Sequence, residues 1–215
     1  MTWLADNWRT VLDLAVSHLY LAGVPLLVGL VVSLPLGWVA KRWSRSYPAI
    51  ITSTGLLYTI PSLALFVIMP SLLGTKILDP RNVVVALTVY TVALLVRTVA
   101  DGLRSVPDHI EQSATAMGYR GLRRLFGVEL PLAVPVIAAG LRVAAVSNVS
   151  IVSVASLIGV SQLGDLLVDG FNRVIWGELV TGIVACVLLA LMLDVVIVAG
   201  TRVLTPWLRV QGARA

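Results

Sequence analysis

Charge is scarce in this chain. Only 13% of its 215 residues are Asp, Glu, Lys or Arg, about half the share usual in a soluble domain. That excludes a water-exposed globular surface over most of its length. Cysteine is scarcer still: Cys186 stands alone in an apolar run, so no internal disulfide forms and the residue serves as a small apolar side chain. The only lysines are Lys41 and Lys76, and neither follows a glycine. A nucleotide-hydrolysing loop needs Gly-x-x-x-x-Gly-Lys-Ser/Thr to cradle phosphates, so this chain does not supply one. His18 and His109 are far apart, no metal cluster is visible, and no Gly-x-Ser-x-Gly elbow occurs. No residue is left to carry catalysis. Basic and aromatic residues share no face, which argues against nucleic acid despite the net charge of +5.

What is abundant is apolar sequence. A helical membrane span needs about 20 such residues. Five runs qualify: Leu19–Ala40, Ala49–Thr75, Asn82–Ala100, a stretch within Pro131–Gly159, and Leu179–Thr205. No hydrophilic segment is long enough to fold by itself, so residues 1–215 are expected to form one membrane domain. Ahead of the first run, Trp3, Leu4, Trp8, Val11, Leu12 and Ala15 fall on one helical face. Asp6, Arg9 and Asp13 interrupt that pattern on the other side, which predicts a short helix lying in the membrane interface. A basic start followed directly by an apolar core is missing, so a cleavable signal peptide is not expected.

Lys and Arg fix the expected direction. Ten lie in one set of loops: Lys41, Arg42, Arg45, Arg104, Arg120, Arg123, Arg124, Arg202, Arg209 and Arg214. Four lie in the other: Arg9, Lys76, Arg81 and Arg173. The positive-inside bias places the larger set in the cytoplasm. The chain is then a multi-pass protein of the cell membrane, N-terminus outside and C-terminus inside, with the polar loop 104–131 cytoplasmic. No internal repeat is apparent, so the inverted repeats of many secondary transporters are not in evidence.

That loop carries the densest local signals. Ser105 and Asp108 have the spacing of a capping box. Ile110, Ala114 and Met117 share a helical face, and Gly118 is placed to end the helix in a left-handed turn. A second, basic helix is expected from Tyr119 to Leu130, stopped by Pro131. Physics leaves two roles open. The segment can lie on anionic lipid, or its small residues Ser113, Ala114 and Ala116 can offer a compact knob to a partner's groove.

The run QSATAMG at 112–118, followed nine residues later by VELP at 128–131, resembles the cytoplasmic signature of importer permeases driven by ATP-binding cassettes. That signature reads Glu-Ala-Ala, three residues, Gly, nine residues, Ile-x-Leu-Pro. Ala114, Gly118, Leu130 and Pro131 match in spacing, and Val128 is conservative. Gln112 and Ser113 depart from it. Glu111 is adjacent, but one helical residue turns a side chain by about 100°. Stretches 18–42, 58–74, 84–106 and 140–171, with the block Thr59–Leu65 as the most specific, are similar to permeases for glycine betaine, carnitine and choline.

The resemblance implies an all-α permease fold of the type I importer class, and import of such osmoprotectants. It implies a second permease subunit, two ATPase subunits that bind ATP and Mg, and an extracytoplasmic substrate-binding protein. No cofactor is expected in this chain itself. The ATPase-coupling residues it implies are Glu111, Gln112, Ser113, Ala114, Gly118, Tyr119, Arg120, Leu130 and Pro131. An importer permease for another solute, such as an amino acid, and an ATPase-independent carrier are the alternatives; the second has no need of the signature loop.

Within the spans, Arg97, Arg142 and Asp194 each cost at least about 2.5–3.5 kcal/mol at mid-membrane. Snorkelling toward the cytoplasmic interface is the preferred account, and a pair between Asp194 and an Arg is the other. Tyr58, Thr59, Pro61, Ser62, Tyr90, Asn148, Ser150 and Ser153 are the candidates for lining a pathway, with helix–helix hydrogen bonding as the competing role. Five helices are too few to enclose a path for a bulky cation, so two chains around a shared axis are expected.

Overall fold

The computed structural model describes residues 2–43, 45 and 47–207. Arg209 and Arg214, counted above, lie outside the described residues. Those described are helical or in short turns. In order they form α1 (Thr2–Arg42), α2 (Tyr47–Tyr58), α3 (Ser62–Leu73), α4 (Pro80–Arg104), α5 (Asp108–Ala116) and α6 (Gly121–Arg124). A π-helical turn, Leu125–Glu129, leads into α7 (Leu130–Val154); α8 (Gly164–Asn172) and α9 (Trp176–Leu204) follow. α1, α4, α9 and the continuous stretch Gly121–Ile158 are each long and apolar enough to cross a membrane, and α2 with α3 makes a fifth span bent by 98°.

α4 is the centre. Its buried residues include Val83, Leu87, Leu95, Val96, Val99 and Leu103, and α1, α2, α3 and α7 pack around it. α1 runs parallel to it at very close range. A Cβ on Gly29 would stand 2.5 Å from Cγ2 of Thr91, and one on Gly37 would stand 2.5 Å from Cγ1 of Val99. Both contacts advance by the same interval along the two chains, so glycine is required twice along one seam. Apolar packing of this kind substitutes for the hydrophobic drive that lipid does not provide.

One expectation is corrected. The interfacial helix is not a separate element: it is the first part of α1, which continues through Pro25 and Pro35 for 41 residues. No turn-forming residue separates the segments, and Trp3, Val11, Leu14 and Ala15 pack on the same core as Leu21 and Ala22. Tertiary contact holds one side of this segment, while Leu4, Trp8, Leu12 and Val16 stay exposed on the other. At 1.5 Å per residue α1 is about 61 Å long, twice the hydrocarbon thickness. The second span is broken at Pro61, where that residue type is expected to interrupt a helix: the chain leaves the helix at Tyr58 and re-enters it at Ser62.

Several buried polar groups are paired across helices, as an apolar solvent favours; Ser33 Oγ and one Glu178 carboxylate oxygen are buried without a partner among the described residues. His18 is fully buried, with Nδ1 2.8 Å from Oε1 of Gln162 and Nε2 3.0 Å from the Val149 carbonyl. Gln162 donates to the Val152 carbonyl at 3.0 Å and accepts from the Gly164 N–H at 2.6 Å. Snorkelling does not describe Arg142 and Asp194. Arg142 on α7 donates to Asp194 on α9 through two nitrogens, at 2.5 and 2.9 Å. A bidentate pair neutralises both charges in place. Arg97 is the most exposed of the three, 69% accessible and 3.6 Å from Asp101 one turn on.

Candidate functional site: the loop between α4 and α7, and the break between α2 and α3

The loop begins by contradicting the capping box. Ser105 closes α4 instead, its hydroxyl donating to the Gly102 carbonyl at 2.7 Å. Pro107 is the residue before α5, with φ −62° and ψ 138° and no capping side chain. Proline has the extended backbone that suits a helix entry, so Asp108 becomes the first helical residue. The predicted far end of α5 is as expected. Gly118 has φ +88°. Its N–H reaches the Thr115 carbonyl, and the Tyr119 N–H reaches that of Ala114, each at 3.0 Å. Those two bonds together are a Schellman ending.

α5 has an inward and an outward side. Ala114 is buried, 1% exposed, and Ile110 is half-buried. Gln112, Ser113, Ala116 and Met117 are exposed. The shared face assigned to Ile110, Ala114 and Met117 therefore holds for the first two only, because the chain unwinds at Met117. A charge at Ala114 would unseat α5 from its own chain rather than mark an outer surface. Glu111 also turns inward, toward Lys41 at the end of α1 at 2.5 Å and toward Arg124 on α6 at 3.4 Å. A cleft of about 350 Å³ beside α5 is lined by Asp108, Glu111, Gln112, Thr115 and Arg124.

The second loop helix departs from expectation in where it stops. α6 starts at Gly121, after Arg120 in extended backbone, and Pro131 does not end it. The Leu130 N–H bonds back five residues, to the Leu125 carbonyl. That wider turn just before Pro131 accommodates a ring that would clash with the carbonyl four residues back in a regular helix. The helix consequently runs on into α7. Leu130 packs on the cluster of Val99, Leu103, Leu125 and Ala133. Tyr119 lies under the Arg123 guanidinium, 4.9 Å from its ring centre.

Glu129, within the π-helical turn, is only 2% exposed. It accepts from Lys41 at 2.8 Å and from Arg124 at 2.6 Å. Burial alone would push its carboxyl up. The hydrogen bonds and positive charges of Lys41 and Arg124 outweigh that and hold it below the ordinary range. Sequence reading treated Lys41 and Arg124 only as topology charges and passed over Glu129. The available signal was an acid in a segment otherwise apolar up to Pro131.

Of the pathway candidates, five gather at the α2–α3 break. Tyr58, Thr59 and Pro61 are exposed and Ser62 half-buried. Tyr58 meets Tyr90 of α4 edge-on, with ring centres 5.6 Å apart. The Tyr90 hydroxyl donates to the Ile60 carbonyl, left free by the break. A cleft of about 250 Å³ runs from Tyr58 past Thr54 and Leu94 to Arg97. Asn148 is not on any surface of this chain. It is 2% exposed, bonded to Thr91 at 3.0 Å and to the Ala22 carbonyl at 3.2 Å. Ser150 on α7 is exposed, while Ser153 is half-buried with its hydroxyl 3.7 Å from Sγ of Cys186.

A helical bundle with a broken span and a short amphipathic helix between two long ones is the architecture of importer permeases. The backbone superposes on a chain from inward-facing structures of the MetNI methionine ABC transporter with a TM-score of 0.83 and 20% identity. The match covers 93% of this chain and 98% of that one. Residues 25–210 match the family model described as binding-protein-dependent transport system inner membrane component, and the chain belongs to that family. The glycine betaine/carnitine/choline transport system permease protein OpuCB of Bacillus subtilis is 31% identical over 96% of this chain and 94% of its own length. The osmoprotectant import permease protein OsmW of Salmonella typhimurium is 32% identical over 95% and 96%.

Proposed function

We propose that this chain is the permease subunit of an ATP-driven importer for glycine betaine, choline, carnitine or a related compatible solute. Residues 1–215 form one permease domain, with 104–131 as its coupling loop. α5 docks on an ATPase subunit, which binds ATP and Mg and performs the hydrolysis. A second permease subunit completes the pore, an extracytoplasmic binding protein delivers the solute, and lipid surrounds the assembly. The N-terminus is outside and the C-terminus cytoplasmic, which agrees with the gathering of Lys41, Arg104 and Arg124 at one end of the bundle.

One observation carries the coupling role: α5 is fastened inward by Ala114, Glu111 and its Schellman ending, while Gln112, Ser113, Ala116 and Met117 face away from the chain. A helix fixed on one side and open on the other suits a docking knob. Met117→Asp, on the open side, is expected to leave membrane insertion intact and abolish ATPase association. The cargo is argued from the similarity to osmoprotectant permeases along almost the whole chain. Exposed Tyr58 at the break offers a ring to a quaternary ammonium group, of the kind that aromatic faces attract. Uptake of labelled betaine, choline and methionine into vesicles bearing the full complex is the test. ATP-dependent uptake of betaine or choline is expected; uptake of methionine alone would defeat the osmoprotectant reading. Uptake without any ATPase subunit would defeat the importer reading itself.

A further inference from the structure

Four charged side chains from four separate elements close a ring. Lys41 of α1 meets Glu111 of α5 at 2.5 Å, and Glu111 meets Arg124 of α6 at 3.4 Å. Arg124 meets Glu129 of the π-helical turn at 2.6 Å, and Glu129 returns to Lys41 at 2.8 Å. Charge alternates around the ring and sums to zero. Its members are 2–26% exposed, too sheltered to be a dispensable surface pair. Arg124 also donates to the Thr115 hydroxyl at 3.1 Å, a second hold on α5.

The ring has an asymmetry. Arg124 joins α5 to the turn that follows it, which chain connectivity already places nearby. Lys41 joins α5 and the start of α7 to the end of α1, 70 and 88 residues away in sequence. α1 in turn packs along α4 and touches α7 and α9. A displacement of α5 is thus passed along the chain to α7 through α6 and the π-helical turn and to α4 through residues 105–107, and directly to α1 through the Lys41 ammonium group.

We infer that Lys41 is a positioning residue for coupling, the tie by which movement of α5 is delivered to α1. The inference rests on α5 being the ATPase-coupling helix, and it makes a separable claim about the geometry of the chain. Lys41→Met cuts the tie to α1 and leaves Arg124 holding Glu111 to Glu129, so α5 stays folded. Lys41→Arg keeps the charge and a donor fork for two carboxylates.

The experiment uses the reconstituted complex with Cys186→Ser, Trp43→Cys and His109→Cys, spin-labelled at the last two positions, both exposed and outside the docking residues. Lys41→Met is expected to broaden the distance distribution between the labels, and Lys41→Arg to restore it. In the same preparations, lacking labels, solute moved per ATP hydrolysed should fall about fivefold or more, the scale of a coupling free energy above 1 kcal/mol, while ATPase association is kept. An unchanged distribution in Lys41→Met would overturn the tie. A broadened distribution with an unchanged transport-to-hydrolysis ratio would overturn its role in coupling. Failure of the ATPase to associate with the unsubstituted chain would instead overturn the assignment of α5, with the label distances still reporting on the ring.

Discussion

Pro61 and Pro131 have the same chemistry and opposite consequences. At Pro61 the chain leaves the helix, bends by 98° and restarts. At Pro131 it passes through without a break. The ring and the missing N–H are identical, so the difference lies in the turn before each. Leu125–Glu129 is wound wide, with the Leu130 N–H reaching back five residues, and the clash is avoided. Before Pro61 no such turn exists: the Thr59 and Ile60 N–H groups bond back only three residues, to Leu56 and Leu57. The tightened end exposes the Ile60 carbonyl, and Tyr90 supplies its donor. At these two prolines the outcome goes with the turn before each, wide at Pro131 and tight at Pro61.

The largest effect on this contrast is expected from Tyr90→Phe. It keeps the ring packing on Tyr58 and leaves the Ile60 carbonyl without its donor, a cost of about 1–3 kcal/mol. Thermal stability of the detergent-solubilised complex should drop, and transport should fall more than ATPase association does. An unchanged melting point would mean that the break does not depend on Tyr90.

Gly118→Val comes next. A Cβ there meets nothing within 4 Å, so the penalty is conformational alone, from φ +88°. A β-branched residue in that region costs about 1–2 kcal/mol. The ending of α5 should open, with ATPase association reduced and membrane insertion retained, as read by co-purification.

The third test is acidity, at the turn that lets the chain past Pro131. The groups facing Glu129 are Lys41 from α1 and Arg124 from α6, with Glu111 of α5 across the ring. Its carboxyl is held below the ordinary range, so it favours the folded ring at every pH above the ordinary value. That contribution is lost as pH falls through the lowered value. Protection of the α5 amides, as exchange relative to the intrinsic rate at each pH, should therefore be flat above the ordinary carboxylate range and fall below it. Glu129→Gln should be less protected above that range and lose most of the acid response.

The smallest effect is expected at Pro131 itself. Pro131→Ala gives back an N–H in a helix that is already continuous, and stability should move by less than about 1 kcal/mol. A large loss would show that the proline, rather than the π-helical turn, sets the path into α7.

The same contrast marks how far the sequence could be read. The apolar runs gave the spans because lipid imposes one simple length requirement on each. Gly118 was legible because a left-handed ending has a residue preference of its own. Pro61 and Pro131 looked alike because their fates depend on hydrogen-bond register, which no local residue preference states. The ring was hidden for another reason. Lys41 and Glu111 are 70 residues apart, and each reads locally as an ordinary loop charge. Asn148 stood between a pathway role and helix–helix hydrogen bonding because a buried amide and a pathway amide have the same sequence context. Its partners, Thr91 and the Ala22 carbonyl, come from two other helices. The Arg142–Asp194 pair was likewise one option among two until α7 and α9 were seen side by side.

Because the helix passes Pro131 unbroken, the stretch from Gly121 to Ile158 is a single piece of 38 residues, about 57 Å from end to end. That is nearly twice the roughly 30 Å of a hydrocarbon core. On a rod of this length, a tilt of about 5° about the Gly121 end corresponds to roughly 5 Å at the Ile158 end, about the rise of one helical turn.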